Sequence, residues 1–264
     1  MKLVEELRTV VARLRDPEAG CPWDRAQTFA SVAPYILEEA HEVAETIDQN
    51  NFPALCDELG DLLFLLMFIL HIAEEQRVFN FEMVITGAMD KIIRRHPHVF
   101  SDTPGGDNKE LVRRWEQQKS LERAARGEPT NSLMDGISHG LPGIARAIKI
   151  QKRAATVGFD WQDSNGVLEK LIEEIAELRS AQQMEHNLAR IGEEIGDILF
   201  TGINLARHCQ IDPETALRQA NTRFEQRFRK MEELSQNKGE TISKLNMEQL
   251  EQLWQEAKIR RVNP

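Results

Sequence analysis

Glu38, Glu39 and Glu42 lie within about one helical turn of each other, and after 15 further residues come Glu58 and Asp61, three apart. The same order returns about 136 residues later as Glu173, Glu174 and Glu177, then Glu194 and Asp197 after 16 residues. Side chains three or four apart share a helix face, so each half can present two pairs of carboxylates from consecutive helices. Gathered carboxylates repel one another unless a cation lies between them. Oxygen donors of this kind suit a hard divalent ion, Mg²⁺ or Mn²⁺. For either pattern alone the bland alternative is a solvated acidic face. Context argues for the ion: LLFLLMFIL follows Asp61 and ILFTGINL follows Asp197. Both aspartates are therefore expected where a helix enters an apolar core, and an unpaired carboxylate there would protonate or destabilise the fold.

Basic and aromatic residues recur around these acids. Lys170 stands four before Glu174, and Arg190 four before Glu194, each one turn from an acid on the same face. Such pairs are commonly surface ion pairs of little energetic weight. Arg223 and Arg227 share another face, with Phe224 and Phe228 expected toward the core. Beside a metal-bound phosphate the two arginines could clamp oxygen atoms. Trp254 and Lys258, four apart, could stack on a base and reach a phosphate. The first half carries counterparts in Lys91, Arg95, Trp115 and Lys119. No Walker loop, nucleophile elbow or Gly-rich dinucleotide turn is present. Metal-assisted hydrolysis is the chemistry that remains.

The elements that must position these residues are helical. Apolar residues recur with a 3.6 period, strand signals are nearly absent, and helices are expected at about 2–15, 32–48, 53–76, 81–95, 108–126, 143–155, 165–184, 187–208, 213–237 and 246–260. Asp16-Pro17, Gly20-Cys21-Pro22, His96-Pro97, Thr103-Pro104-Gly105-Gly106 and Gly127-Glu128-Pro129 read as stops. The expected organisation is all-α, with an N-terminal domain at 1–126, a Gly/Pro/Ser/Asn-rich linker at 127–142 and a C-terminal domain at 143–264. Trp23-Asp24 matches Gly158-Phe159-Asp160-Trp161, and the shared order of acids, arginines and Trp–x3–Lys marks the halves as a duplication.

A charge of −10 over 264 residues argues against a general nucleic-acid binder. The nine-residue apolar run from Leu62 to Leu70 is far short of the about 20 residues that span a membrane, and reads as a buried core helix. Three scattered cysteines, Cys21, Cys56 and Cys209, fit a reducing cytoplasm.

EExxE followed by ExxD, together with RLRDPEAGCPWD, RRHPHVF, IQKRAATVGFDW and EIGDILF, resembles the MazG family of all-α nucleoside triphosphate pyrophosphohydrolases over essentially the whole chain. The resemblance implies two tandem MazG-like helical bundles per protomer, a homodimer, and Mg²⁺-dependent cleavage of nucleoside triphosphates to monophosphate and pyrophosphate. It places metal on Glu174, Glu177, Glu194 and Asp197. It places substrate on Lys170, Glu173, Arg190, Glu193, Arg223, Arg227, Trp254 and Lys258, with hydrolysis credited to the C-terminal domain. Glu39, Glu42, Glu58, Asp61, Lys91, Arg95, Trp115 and Lys119 form the second possible site. Arg223 stands where the family often has Lys, which keeps the charge but changes donor geometry. A non-catalytic nucleotide-sensing dimer is the alternative reading.

Overall fold

The computed structural model describes residues 2–101, 104–128, 131–184 and 187–259. These residues hold twelve α-helices and one 3₁₀ turn, with no strand among them. The chain divides into two compact units, Met1–Lys119 and Ser120–Pro264.

The N-terminal unit is built on α1 (Lys2–Leu14), α3 (Phe29–Asp48) and α4 (Phe52–Glu75), with the short α2 (Pro22–Ala26), α5 (Phe81–Arg95), α6 (Pro97–Phe100) and the start of α7 (Asn108–Ala125). The helix starts are written locally. Thr28 and Ser31 form a reciprocal capping box at α3. Asn51 caps α4 through the Ala54 amide, and Pro53 sits in the first turn, where its missing N–H has no partner to lose. Asn50, just past α3, and Arg77, just past α4, take positive φ, which turns the chain out of each helix. The core is Val11, Val32, Met67, Phe68 and Ile72, joining α1, α3 and α4.

In the second unit α8 (Gly143–Ala155), α9 (Ser164–Gln182) and α10 (Leu188–His208) repeat the α1, α3, α4 arrangement: α9 packs on α10, and α8 on α10. Asp163 caps α9 through the Asn165 and Gly166 amides. A Cβ at Gly166 would lie 2.6 Å from Cδ1 of Trp161, so a larger residue there must displace that ring. Gln151 ties α8 to α10 by donating to the Phe200 carbonyl at 2.8 Å. Asp212 caps α11 (Pro213–Asn237), which packs on α12 (Met247–Ile259) around Met231, Leu234, Leu253 and Ala257.

Three expectations change. Pro22 and Pro97 do not only end what precedes them; each opens a short helix, because proline's fixed φ suits the first turn. The apolar run in α4 is buried on one side, at Met67 and Phe68, while Leu63 and Leu66 are exposed. Phe224 and Phe228 do not enter the core: both are exposed and stack on each other at 6.2 Å. Residue 260, the expected end of the last helix, lies outside the described residues, as do 129 and 130 of the expected linker.

Candidate functional site

The α9–α10 hairpin puts its acids on facing surfaces. Oxygen atoms of Glu174, Glu194 and Asp197 all lie within 4.8 Å of one another. Burial runs opposite to expectation. Glu194 is 1% exposed and Glu174 5%, whereas Asp197 is exposed. Asp61 is exposed as well, so neither aspartate is sunk in a core. The helix face was legible from spacing, but depth is set by the partner helix, and here each helix buries a glutamate at the crossing. Glu177 stands beside the group and is joined to it by Arg190 at 3.3 Å.

Two cations are built into this cluster. Lys170 Nζ reaches Glu173 at 2.8 Å and Glu174 at 2.9 Å. Those carboxylates push the lysine pKa far up. Arg190 reaches Glu194 at 2.5 Å and Glu193 at 3.3 Å. Even so, Oε2 of Glu194 is buried without a hydrogen-bond partner. Burial, the largest influence, pushes the Glu194 carboxyl up; Arg190 pulls it down, and Glu177, Glu174 and Asp197 push it up again. An orphaned oxygen among converging carboxylates fits a hard divalent cation, which would satisfy it directly.

The remaining expected residues gather separately on α11 and α12. Arg227 lies over the Trp254 ring at 5.6 Å and Lys258 at 5.7 Å, with Phe224 5.2 Å away. Arg223 is exposed. Among the described residues no hydrogen bond or ion pair joins this aromatic and cationic group to the carboxylates.

The α3–α4 hairpin repeats the cluster with Glu39, Glu58 and Asp61, again within 4.8 Å. Burial foremost, then the neighbouring acids Glu42 and Asp61, pushes both Glu39 and Glu58 up, and Glu42 also hydrogen bonds Glu58. Arg95 lies over Trp115 at 5.3 Å, as Arg227 does over Trp254. Lys119 instead pairs with Glu116 at 2.7 Å, and Lys91 is exposed. The decisive contrast escaped the sequence reading, although spacing alone carries it. Tyr35 stands four before Glu39 and Ala54 four before Glu58, where the second half has Lys170 and Arg190. The first cluster therefore lacks both built-in cations.

One constellation outside the expected set flanks the second hairpin. Asp160 pairs with Arg207, whose Nε donates to Asn204 at 2.8 Å, and with His208 at 2.9 Å. Burial raises the Asp160 carboxyl, but Arg207 and His208 together outweigh it and hold the group below its usual range.

Together the two hairpins define a class: a duplicated all-α bundle in which facing helices converge carboxylates on one point. The profile of the MazG nucleotide pyrophosphohydrolase domain matches residues 27–100, which hold the first hairpin. The chain is 44% identical over 264 residues to the nucleoside triphosphate pyrophosphohydrolase of Escherichia coli (strain K12), covering all of both chains. It is 43% identical over 256 residues to the nucleoside triphosphate pyrophosphohydrolase/pyrophosphatase MazG of Thermotoga maritima, covering 97% of this chain and 96% of that one. On these likenesses the chain belongs to the MazG family.

Proposed function

We propose that this chain is a nucleoside triphosphate pyrophosphohydrolase of broad ribo- and deoxyribonucleotide acceptance, converting NTP and water to NMP and pyrophosphate, with the C-terminal hairpin as its catalytic site. The observation that carries the reading is the buried Glu194, with one oxygen unpartnered beside Glu174 and Asp197. The names and full-length identity of the relatives support the reaction class.

Glu174, Glu177, Glu194 and Asp197 would hold the metal, Mg²⁺ with Mn²⁺ as its substitute. A divalent cation at this position supplies Lewis-acid polarisation of phosphoryl oxygens and neutralises leaving-group charge. Lys170 and Arg190 turn from carboxylates to phosphate oxygens as substrate arrives, which their donors and flexible stems permit. Glu173 or Glu193, exposed and next in sequence to the ligands, orients a water toward the α-phosphorus. The water's oxygen bonds to that phosphorus as its proton passes to the same carboxylate, the bond to the α–β bridging oxygen breaks, and pyrophosphate leaves. Arg223, Arg227 and Lys258 hold the departing charge, and Trp254 stacks on the base.

The acting species is a homodimer. Ile195 and Leu199 on α10 and Leu168, Ile172 and Ile175 on α9 are exposed, and Leu59, Leu63 and Leu66 on α4 repeat the pattern. Apolar faces of this extent on a compact unit call for a partner. No helix among the described residues is long and apolar enough to cross a membrane, and all three cysteines are free, which agrees with the proposed cytoplasmic setting. The products test the reading: incubation with ATP and Mg²⁺, followed by phosphorus NMR, yields AMP and pyrophosphate in equal amounts. Release of ADP and inorganic phosphate, or binding without turnover, would refute it.

A further inference from the structure

The stretch between α7 and α8 reads as a linker in sequence, yet residues 131–140 carry local structure of their own. The Ser132 amide donates to Asp135 Oδ2 at 2.8 Å, the Met134 amide to Ser132 Oγ at 3.1 Å, and the Asp135 amide to the Ser132 carbonyl at 3.1 Å. Gly136 takes φ +76°, which glycine adopts without strain, and Ile137 beside it is buried.

Three arginines of the second unit meet this segment at successive points. Arg153, on α8, donates from Nη1 to the Leu133 carbonyl at 2.7 Å and lies 3.5 Å from the Asp135 carbonyl. Arg146, two turns earlier on the same face of α8, places Nη2 3.2 Å from Nδ1 of His139. Arg123, in the last turn of α7, packs against Gly136 between them. A Cβ on that glycine would lie 2.7 Å from Cδ of Arg123 and 2.9 Å from its Nε and Nη1.

Arg123 is 8% exposed, and its Nε is buried without a hydrogen-bond partner, as is the Nε of Arg146. Among the described residues no hydrogen bond or ion pair reaches the Arg123 guanidinium. The carboxylates near it are engaged elsewhere. Arg126, at 2.6 Å, is the main influence holding the Glu128 carboxyl below its usual range, and Arg123 adds only a smaller pull. Asp135 accepts the Ser132 amide, and Glu122, one residue before Arg123, faces another side of α7. A guanidinium cannot shed its proton to escape burial, so an uncompensated one destabilises the fold until an anion reaches it. Gly136 covers Nε, whereas the two terminal nitrogens are not sealed, which leaves the end-on fork of Arg123 for two oxygens of one ion. With Arg146 and Arg153 adding permanent charge along the same segment, a dianion is favoured over a carboxylate. We propose that Arg123 and Arg146, with residues 131–140, form a binding site for a phosphate-class dianion, which neutralises Arg123 and fastens the segment to α8. The site shares no residue with the carboxylate cluster of α9 and α10, and the inference does not rest on the catalytic reading.

Calorimetric titration and thermal unfolding of the full chain test this in chelator-treated, metal-free buffer at constant ionic strength. Inorganic phosphate, pyrophosphate and acetate are the probes, the first two separating a free phosphate from the end of a longer one. Phosphate is expected to bind and to raise the melting temperature, and acetate to do neither. Arg123→Met should weaken phosphate about tenfold or more. It should also leave the ligand-free melting temperature unchanged or raise it, because it removes a buried unpaired charge, and it should retain triphosphate turnover with Mg²⁺. Arg146→Gln should weaken phosphate as well, and it alone decides if Arg123→Met does not fold. Lys170→Ala and Arg227→Ala should leave phosphate affinity unmoved, which separates this site from the proposed catalytic one. No phosphate binding, acetate equal to phosphate, affinity unmoved in Arg123→Met and Arg146→Gln, or affinity lost in Lys170→Ala or Arg227→Ala would overturn the proposal.

Discussion

Glu194 concentrates the chemistry of the second hairpin into one side chain: it is buried, held on one oxygen by Arg190 and unpartnered on the other. Protons compete with a divalent cation for that carboxylate. With its pKa raised, cation affinity is full above the raised value and lost as pH falls through it, at a pH above the ordinary glutamate range. Cation-free stability runs the other way: the raised pKa makes its contribution complete below the unfolded value and removes it as pH rises through the folded one. Magnesium titrations between about pH 5 and pH 8 should therefore show affinity declining from a higher pH than an unperturbed glutamate gives. Lys170→Ala should raise KM for the triphosphate about tenfold or more, the loss expected for a charged hydrogen bond. At this scale the sequence was a good guide to which acids converge and a poor one to their depth. Helical spacing marks a shared face, but burial depends on what crosses that face, and the glutamates rather than Asp61 or Asp197 meet the partner helix.

At the scale of elements, the hairpins stand on local devices: the Thr28–Ser31 box, Asn51 and the Asp163 cap. Asp163→Ala should cost about 1 kcal/mol in denaturant unfolding. Gly166→Ala should cost about 1–3 kcal/mol, because the added methyl meets the Trp161 ring. Long helices were legible because polar, Gly and Pro punctuation brackets uninterrupted 3.6-periodic stretches. The short α2 and α6 were not, since Pro22 and Pro97 carry the same letter whether they end one element or begin the next. Phe224 and Phe228 show a second limit: an apolar pair on one helix face does not say whether that face is covered.

The whole molecule is a duplication whose copies have diverged in charge. Both keep three converging carboxylates, but only the second keeps Lys170 and Arg190; the first has Tyr35 and Ala54. Exposed apolar faces on α4, α9 and α10 recur in both copies, and the proposed homodimer predicts that Leu199→Asp shifts sedimentation toward monomer. The most direct test of the central claim compares pyrophosphate release by the intact chain, Glu194→Gln and Glu58→Gln, at saturating Mg²⁺ and ATP with secondary structure monitored in parallel. Glu194→Gln should lose about a hundredfold or more of the turnover while staying folded, and Glu58→Gln should keep most of it. Full activity in Glu194→Gln, or equal loss in both, would contradict the assignment of catalysis to the second hairpin.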